Sequence, residues 1–272
     1  MREESTLTDK AEASMRFVVG NLIVQRCIDR AQLGAMAAQA VSESIRESLN
    51  EKGTVSIVFA AAPSQSEFLE ALRSMEDVDW SRVIAFHLDE YIGIARSAPQ
   101  NFAKFLDDHL FNIVRPGKVH YLDGNAADLD TECGRYAQLL QEHGLDIACL
   151  GIGENGHLAF NDPPTADFAD PKWVKVVELD EMCRQQQVND GAFRSVDEVP
   201  RIALTMTIPA MMAARRVYCM VPGQSKQQAV RNTLKGPIST ECPAAVLRRH
   251  LAATLFIDRD SARLWEADRS NA

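Results

Sequence analysis

Two polar turns concentrate the residues able to move protons. His87-Leu88-Asp89-Glu90-Tyr91 closes one apolar run, and Gly151-Ile-Gly-Glu-Asn-Gly-His157-Leu-Ala-Phe-Asn-Asp162-Pro-Pro164 closes another. An imidazole that is neutral near pH 7 passes protons in both directions. Asp162 follows His157 across a Pro-terminated turn, close enough to curl back and hold the ring in one tautomer. Asp89 and Glu90 sit among Phe86, Leu88, Tyr91 and Ile92. Apolar neighbours desolvate a carboxylate and make it more basic, so at least one of the pair is a candidate to abstract a proton. The plainer readings are a structural histidine and a solvated acidic turn, and spacing alone does not separate them from catalysis.

Other chemistries fit the residues less well. Gly151-x-Gly153-x-x-Gly156 has the spacing of a dinucleotide fingerprint, but that fingerprint must open a helix. Here Asn161-Asp162-Pro163-Pro164 interrupts the chain, so no nucleotide cofactor is expected. The glycines instead allow tight backbone geometry that presents Glu154, Asn155 and His157. The six histidines form no HExxH and the six cysteines no zinc pair, so no metal is expected either. No G-x-S-x-G elbow supports a serine hydrolase.

The elements that must position these turns alternate. Ala37, Val41, Ile45 and Leu49 recur at helical spacing, and an apolar strand, Val55 to Phe59, follows. Ser64-Gln65-Ser66-Glu67 has the form of a capping box opening a helix to about Met75. Val83 to Phe86 and Asp146 to Leu150 read as buried strands ahead of the two turns, with helices around Phe102 to Leu110 and Leu129 to Leu140 between them. Arg216 to Val221 and Thr254 to Asp258 read as late strands around a helix, Gln224 to Leu234. This rhythm predicts a three-layer, Rossmann-like α/β sandwich with a largely parallel central sheet. Parallel strands would deliver Ala60–Ser64, His87–Tyr91, Gly151–Asp162 and Pro222–Lys226 to one edge, where open α/β sheets bind ligands. The Pro-, Asp- and Ala-rich stretch 161–172 reads as a loop that covers this edge.

Composition bounds the rest. The 272 residues, 46% hydrophobic, suffice for a full core and show no linker, so the chain reads as a single domain over 1–272 with residues 1–30 as an N-terminal extension. A net charge of −9 without a Lys/Arg run argues against nucleic acid as a partner. No stretch is apolar enough for a membrane span or a signal sequence, and the cysteines are scattered, as expected of a soluble cytoplasmic protein with reduced thiols. Oligomeric state is open, with a homo-oligomer among the alternatives.

The Asp-Glu-Tyr turn followed by Gly-x-Gly-x-Asn-Gly-His-x-Ala-Phe-Asn-Asp-Pro resembles the glucosamine-6-phosphate deaminases. The likeness extends through Leu122-x-Gly-Asn-Ala126, Val199-Pro-x-x-Ala-Leu-Thr205 and Pro222-Gly-Gln-Ser-Lys226, and so over most of residues 50–260. The related 6-phosphogluconolactonases usually carry Arg after the Asp-Glu pair and lack the Phe-Asn-acid-Pro ending. The resemblance implies conversion of glucosamine 6-phosphate to fructose 6-phosphate and ammonia without a metal or organic cofactor. Catalysis would fall to Asp89, His157, Asp162 and Asn155, and substrate binding to Ser64, Glu90, Tyr91, Gly156, Arg184, Gln187 and Lys226. His157, helped by Asp162, would open the sugar ring, and Asp89 would shuttle a proton between C2 and C1. Alternatives are an isomerase or deaminase of another sugar phosphate, a lactonase, and a non-catalytic sugar-phosphate-binding regulator.

The chain departs from the family pattern in several places. Asn155 stands where members often have Asp, and Asp162 is one methylene shorter than the usual Glu. Ala60-Ala61-Ala62-Pro63-Ser64 replaces a Gly/Thr-rich phosphate turn, and Gln187 aligns with a phosphate-binding Arg, leaving Lys226 as the surviving cation. Thr165 to Trp173 is unlike the segment that forms an allosteric pocket in some members. A capping box at Ser64 and Glu67 would further occupy the amides that a phosphate needs and place a carboxylate beside them, which predicts weakened phosphate binding.

Overall fold

A computed structural model describes residues 14–163 and 165–270. These residues form an eight-stranded sheet in the order β1-β2-β11-β10-β7-β3-β4-β6, and a three-stranded sheet in the order β5-β9-β8. In the large sheet β2 (Leu22–Arg26), β11 (Ala253–Ile257), β10 (Arg216–Val221), β7 (Ile147–Leu150), β3 (Val55–Phe59), β4 (Val83–His87) and β6 (Lys118–Val119) run parallel. Only β1 (Met15–Val19) pairs antiparallel, as an edge hairpin with β2. Both lie in the stretch expected to be an extension, and β2 is an integral strand. Residues 1–13 of that stretch lie outside the described residues.

Burial on both faces explains why β3, Val-Ser-Ile-Val-Phe, is apolar at nearly every position rather than alternating. On one face Ile57, Phe59, Cys149 and Met220 pack against Leu33, Ala37, Val41 and Ile45 of α1 (Arg30–Lys52) and Phe68, Leu69 and Leu72 of α2 (Ser66–Arg73). On the other, Val58, Phe86, Leu150 and Cys219 meet Tyr136 and Leu140 of α4 (Leu129–His143), and Val230 and Leu234 of α7 (Gln227–Lys235). Local signals set the helix ends. Asp29 accepts the Gln32 amide at the start of α1, and Gly53, at φ 83°, supplies the left-handed residue at its end.

The predicted capping box does not form. No side chain caps the short turn Pro63–Gln65 or α2, and the Glu67 carboxylate turns away to Arg30, with Nε–Oε1 2.6 Å and Nη2–Oε2 2.9 Å. A bidentate guanidinium is the stronger partner for a carboxylate than one backbone amide.

The acidic turn after β4 is a short strand. β5 (Asp89–Tyr91) leaves the large sheet and pairs antiparallel with β9 (Ile202–Met206), which pairs in turn with β8 (Val174–Glu178). Leu88 makes the handover, its N–H donating to Phe59 and its carbonyl accepting from Met206. The small sheet carries its own apolar cluster, in which Tyr91, Phe160 and Ala203 meet Cys183 and Phe193. Cys183 belongs to α5 (Glu181–Asn189), which Asp180 caps by accepting the Cys183 amide.

Candidate active site

The ends of four neighbouring strands, β10, β7, β3 and β4, open into one cavity of about 260 Å³, near the small end of the ~300–1,000 Å³ range of small-molecule sites. Ser64, Asp89, His157, Gln187 and Lys226 all line it. The parallel order is what makes residues so distant in sequence neighbours, as strand rhythm predicts.

Strand alternation separates the two acids. Successive side chains in β5 point to opposite sides, so Asp89 faces the cavity while Glu90 is turned into the protein. There Glu90 accepts the amides of Tyr91 (3.0 Å), Phe102 (3.2 Å) and Ala103 (3.0 Å), anchoring the start of α3 (Phe102–Leu106). Burial, with the charge of Glu90 beside it, holds the Asp89 carboxyl well above the ordinary carboxylate range. Burial raises Glu90 to about 7, against the pull of its three amide bonds and Arg96. His87 takes no part in the cavity lining. Its Nδ1 donates to the Asp89 carbonyl (2.8 Å) and its Nε2 accepts the Leu122 amide (2.9 Å). Burial pushes it down to about 4, so it is a neutral brace behind Asp89.

The glycines of the second turn have distinct duties. A Cβ on Gly153 would lie 2.1 Å from Cε1 of His157, so the ring lies flat on that backbone. Gly156, at φ 90°, packs against Cys242 Sγ. His157 Nδ1 is 2.8 Å from Asp162 Oδ1. This approach is not aligned for a hydrogen bond, so proximity of charge couples the two. The short Asp162 side chain thus reaches the ring. Asn155 brackets the pair: its Nδ2 donates to Asp162 Oδ1 (2.8 Å) and its Oδ1 accepts the His157 amide (3.0 Å). An ionised Asp in place of Asn155 could not donate to Asp162. Burial works against ionisation of Asp162, but the nearby His157 ring, the Asn155 hydrogen bond and the adjacent Cys183 thiol outweigh it and lower its pKa.

Ala60, Ala61, Ala62, Pro63 and Ser64 line the same cavity, as does Lys226. The fully buried Gln65 ties this turn to β10, its Nε2 donating to the Met220 carbonyl and to Ser64 Oγ, both at 3.2 Å. Burial lowers the Lys226 ammonium, opposed by Asp190 and Glu154. Uncapped amides beside a cation suit an anion, and Glu67 is not among the lining residues.

Several sequence candidates lie elsewhere. Tyr91 is fully buried and reaches the site only through its hydroxyl, which donates to Gln187 Oε1 (2.7 Å) and leaves the amide NH2 of Gln187 free to face a ligand. Arg184 is spent on the carbonyls of Val196 and Val199. Glu90 and Gly156 do not line the cavity. Nor do the described residues of the 161–172 loop; α5 and the turn Asp190–Ala192 form that wall, with Gln186, Gln187 and Asp190. Gln186, Asp190 and Cys183 went unnoticed in the sequence because nothing local tied them to the two turns. Cys183 sits with His157 and Asp162, their ligand atoms within 4.8 Å of one another.

A parallel sheet with a largely apolar cavity at its carboxyl edge, lined by a desolvated carboxylate and by a histidine that an aspartate backs, is the architecture of a Rossmann-like α/β enzyme of small molecules. Residues 28–256 match the family described as glucosamine-6-phosphate isomerases/6-phosphogluconolactonase, and the chain belongs to that family. It is 34% identical over 234 residues to a glucosamine-6-phosphate deaminase of Lactobacillus delbrueckii subsp. bulgaricus, covering 86% of this chain and 95% of that protein. It is likewise 34% identical over 245 residues to glucosamine-6-phosphate deaminase 1 of Bacillus subtilis, covering 89% and 98%. The structure of a monomeric glucosamine-6-phosphate deaminase superposes with a TM-score of 0.81 at 33% identity over 89% of this chain and 99% of that one. A 6-phosphogluconolactonase from Thermotoga maritima, at 19% identity over 88% of this chain and 100% of that one, shares the fold with a TM-score of 0.71.

Proposed function

We propose that this protein isomerises and deaminates an amino-sugar phosphate, converting glucosamine 6-phosphate to fructose 6-phosphate and ammonia. The observation that carries this reading is the placement of Asp89 and of His157, with Asp162 2.8 Å from its ring, on one cavity that the uncapped Ala60–Ser64 turn and Lys226 also line. The phosphate would lie at Lys226 and the Ala61–Ser64 turn. His157 would move a proton from the C1 hydroxyl to the ring oxygen as the C1–O5 bond opens and the C1 aldehyde forms, with Asp162 stabilising the charged imidazole in between. Asp89 would then carry the C2 proton to C1 while one proton passes from the nitrogen to O1, turning the aldehyde into an alcohol and the C2 amine into an imine. Water adds to C2 and ammonia leaves. A carboxylate raised by burial is matched to abstraction from carbon because its proton affinity approaches that needed near neutral pH. Asn155, Tyr91 and Glu90 act as positioning groups behind these residues. A cytoplasmic setting belongs to the same reading, supported by six cysteines that are all free. Among the described residues no helix is long and apolar enough to cross a membrane.

The test is ammonia and ketose release across a panel of amino-sugar phosphates, with 6-phosphogluconolactone hydrolysis measured alongside. Glucosamine 6-phosphate should be turned over. Asp89→Asn should cut that turnover ~10²–10⁴-fold, the usual worth of a general base, with the thermal transition intact. Lactone hydrolysis without ammonia release would replace the proposal with its lactonase alternative, and binding without any turnover would favour the regulator.

A further inference from the structure

The proposed reaction leaves Cys183 without a task, yet its thiol lies against the Asp162 carboxylate beside the His157 ring. Three different elements bring these groups together: the turn after β7, the loop beyond it, and the first turn of α5. All three residues are buried, His157 at 8%, Asp162 at 1% and Cys183 at 1% exposure. Two polar atoms in the cluster, His157 Nδ1 and Asp162 Oδ2, are buried without a hydrogen-bond partner. Buried polar atoms are normally satisfied; here Nδ1 meets Asp162 Oδ1 at 2.8 Å only off the hydrogen-bonding direction, so the cluster keeps unused ligand capacity for an occupant.

We propose that His157 Nδ1, an Asp162 carboxylate oxygen and Cys183 Sγ form a binding site for a thiophilic divalent cation, Zn²⁺ by chemistry, and that its occupancy switches the enzyme off. A tetrahedral zinc with bonds of ~2.0–2.3 Å holds its ligand atoms roughly 3.5 Å apart. The three atoms here lie within 4.8 Å of one another, and small side-chain adjustments, among them a parting of His157 Nδ1 and Asp162 Oδ1 from 2.8 Å, bring them to that spacing. A nitrogen, sulfur and oxygen set favours zinc over Mg²⁺ or Ca²⁺, which take oxygen ligands. Zinc binding forms a Zn–S bond as the thiol proton passes to solvent, and the thiolate and carboxylate balance the ion's two charges. His157 also lines the cavity, so an ion held on its ring would border the site. With zinc bound, Nδ1 and Asp162 are both engaged and the ring can no longer work with that carboxylate. This inhibitory consequence rests on the proposed reaction; the binding does not.

The test titrates the metal-free full-length protein with ZnCl₂ against a chromophoric chelator. Wild type should bind one equivalent, and MgCl₂ should not compete. Cys183→Ala and Cys183→Ser, each checked for an unchanged thermal transition, should bind at least about 100-fold more weakly, which corresponds to roughly 2.7 kcal/mol for one lost thiolate ligand. Co²⁺ in place of Zn²⁺ should give a thiolate charge-transfer band in wild type that both variants lack. Turnover of glucosamine 6-phosphate by wild type should fall with zinc and return with chelator, whereas Cys183→Ala should show the same turnover with and without that zinc. Equal zinc affinity in wild type and both variants, or no stoichiometric binding, overturns the site. Stoichiometric binding through Cys183 in a protein that releases no ammonia keeps the metal site and overturns the reaction.

Discussion

Smaller residues make room for His157 and hold partners for it. Gly153 lets the ring lie against the backbone, Asp162 supplies charge at 2.8 Å, and Asn155 fixes both. In the proposed reaction this group serves ring opening and Asp89 serves the carbon acid, so the two should separate kinetically. His157→Gln should be slowed ~10²-fold or more on the cyclic substrate, with a clearly smaller loss on an analogue locked in the open-chain form. Asp162→Asn should show a weaker version of the same bias. Equal losses on both substrates would mean that the histidine serves the whole site. At this scale the sequence was legible for Asp89, His157 and Asp162, because motif spacing survives folding. It was not legible for Glu90, since adjacent acids look alike until strand alternation sends them to opposite sides.

The strand β5 is the element that performs this sorting, and it is tied to α3 through Glu90. A carboxyl raised from an ordinary 4.5 to about 7 by burial binds its proton more tightly in the folded state. Its contribution to stability is therefore full below pH 4.5 and is lost as the pH rises through about 7, worth roughly 3 kcal/mol over that window. Asp89, raised in the same direction, adds to the trend. The melting temperature of wild type should fall between pH 5 and 8, and Glu90→Gln should flatten that slope. The slope is the measure, since the amide also disturbs the bond to Ala103 and lowers stability at every pH. An unchanged slope would place the titrating group elsewhere.

For the molecule as a whole, charge is sparse where an anion would bind. The chain carries −9 overall, and Lys226 is the one Lys or Arg among the described residues lining the cavity. Lys226→Met should raise KM for glucosamine 6-phosphate ~10–100-fold, as expected for losing a charged hydrogen bond of roughly 1.5–3 kcal/mol, and should barely affect unphosphorylated glucosamine. Glu67→Gln should shift that KM by less than about twofold, because Glu67 is held by Arg30 away from the cavity and such half-exposed pairs are worth little. A large fall in KM on Glu67→Gln would restore the competition between carboxylate and phosphate that the capping-box pattern suggested.

Local order determined much of this protein. The alternation of apolar strands with amphipathic helices fixes a parallel sheet between helix layers, since strands buried on both faces read as continuous apolar runs such as Val55–Phe59. That topology alone brings Ala60–Ser64, Asp89, His157 and Lys226 to one edge. Tertiary structure decided what no local pattern encodes. It chose Arg30 rather than a helix start as the partner of Glu67, made Asp89–Tyr91 a strand of a second sheet through pairing with β9, and set α5 rather than the 161–172 loop against the cavity. It also placed Cys183 beside His157 and Asp162. Each of these depends on contacts between segments distant along the chain, whose free energies come from burial and pairing that appear only once the segments are packed together.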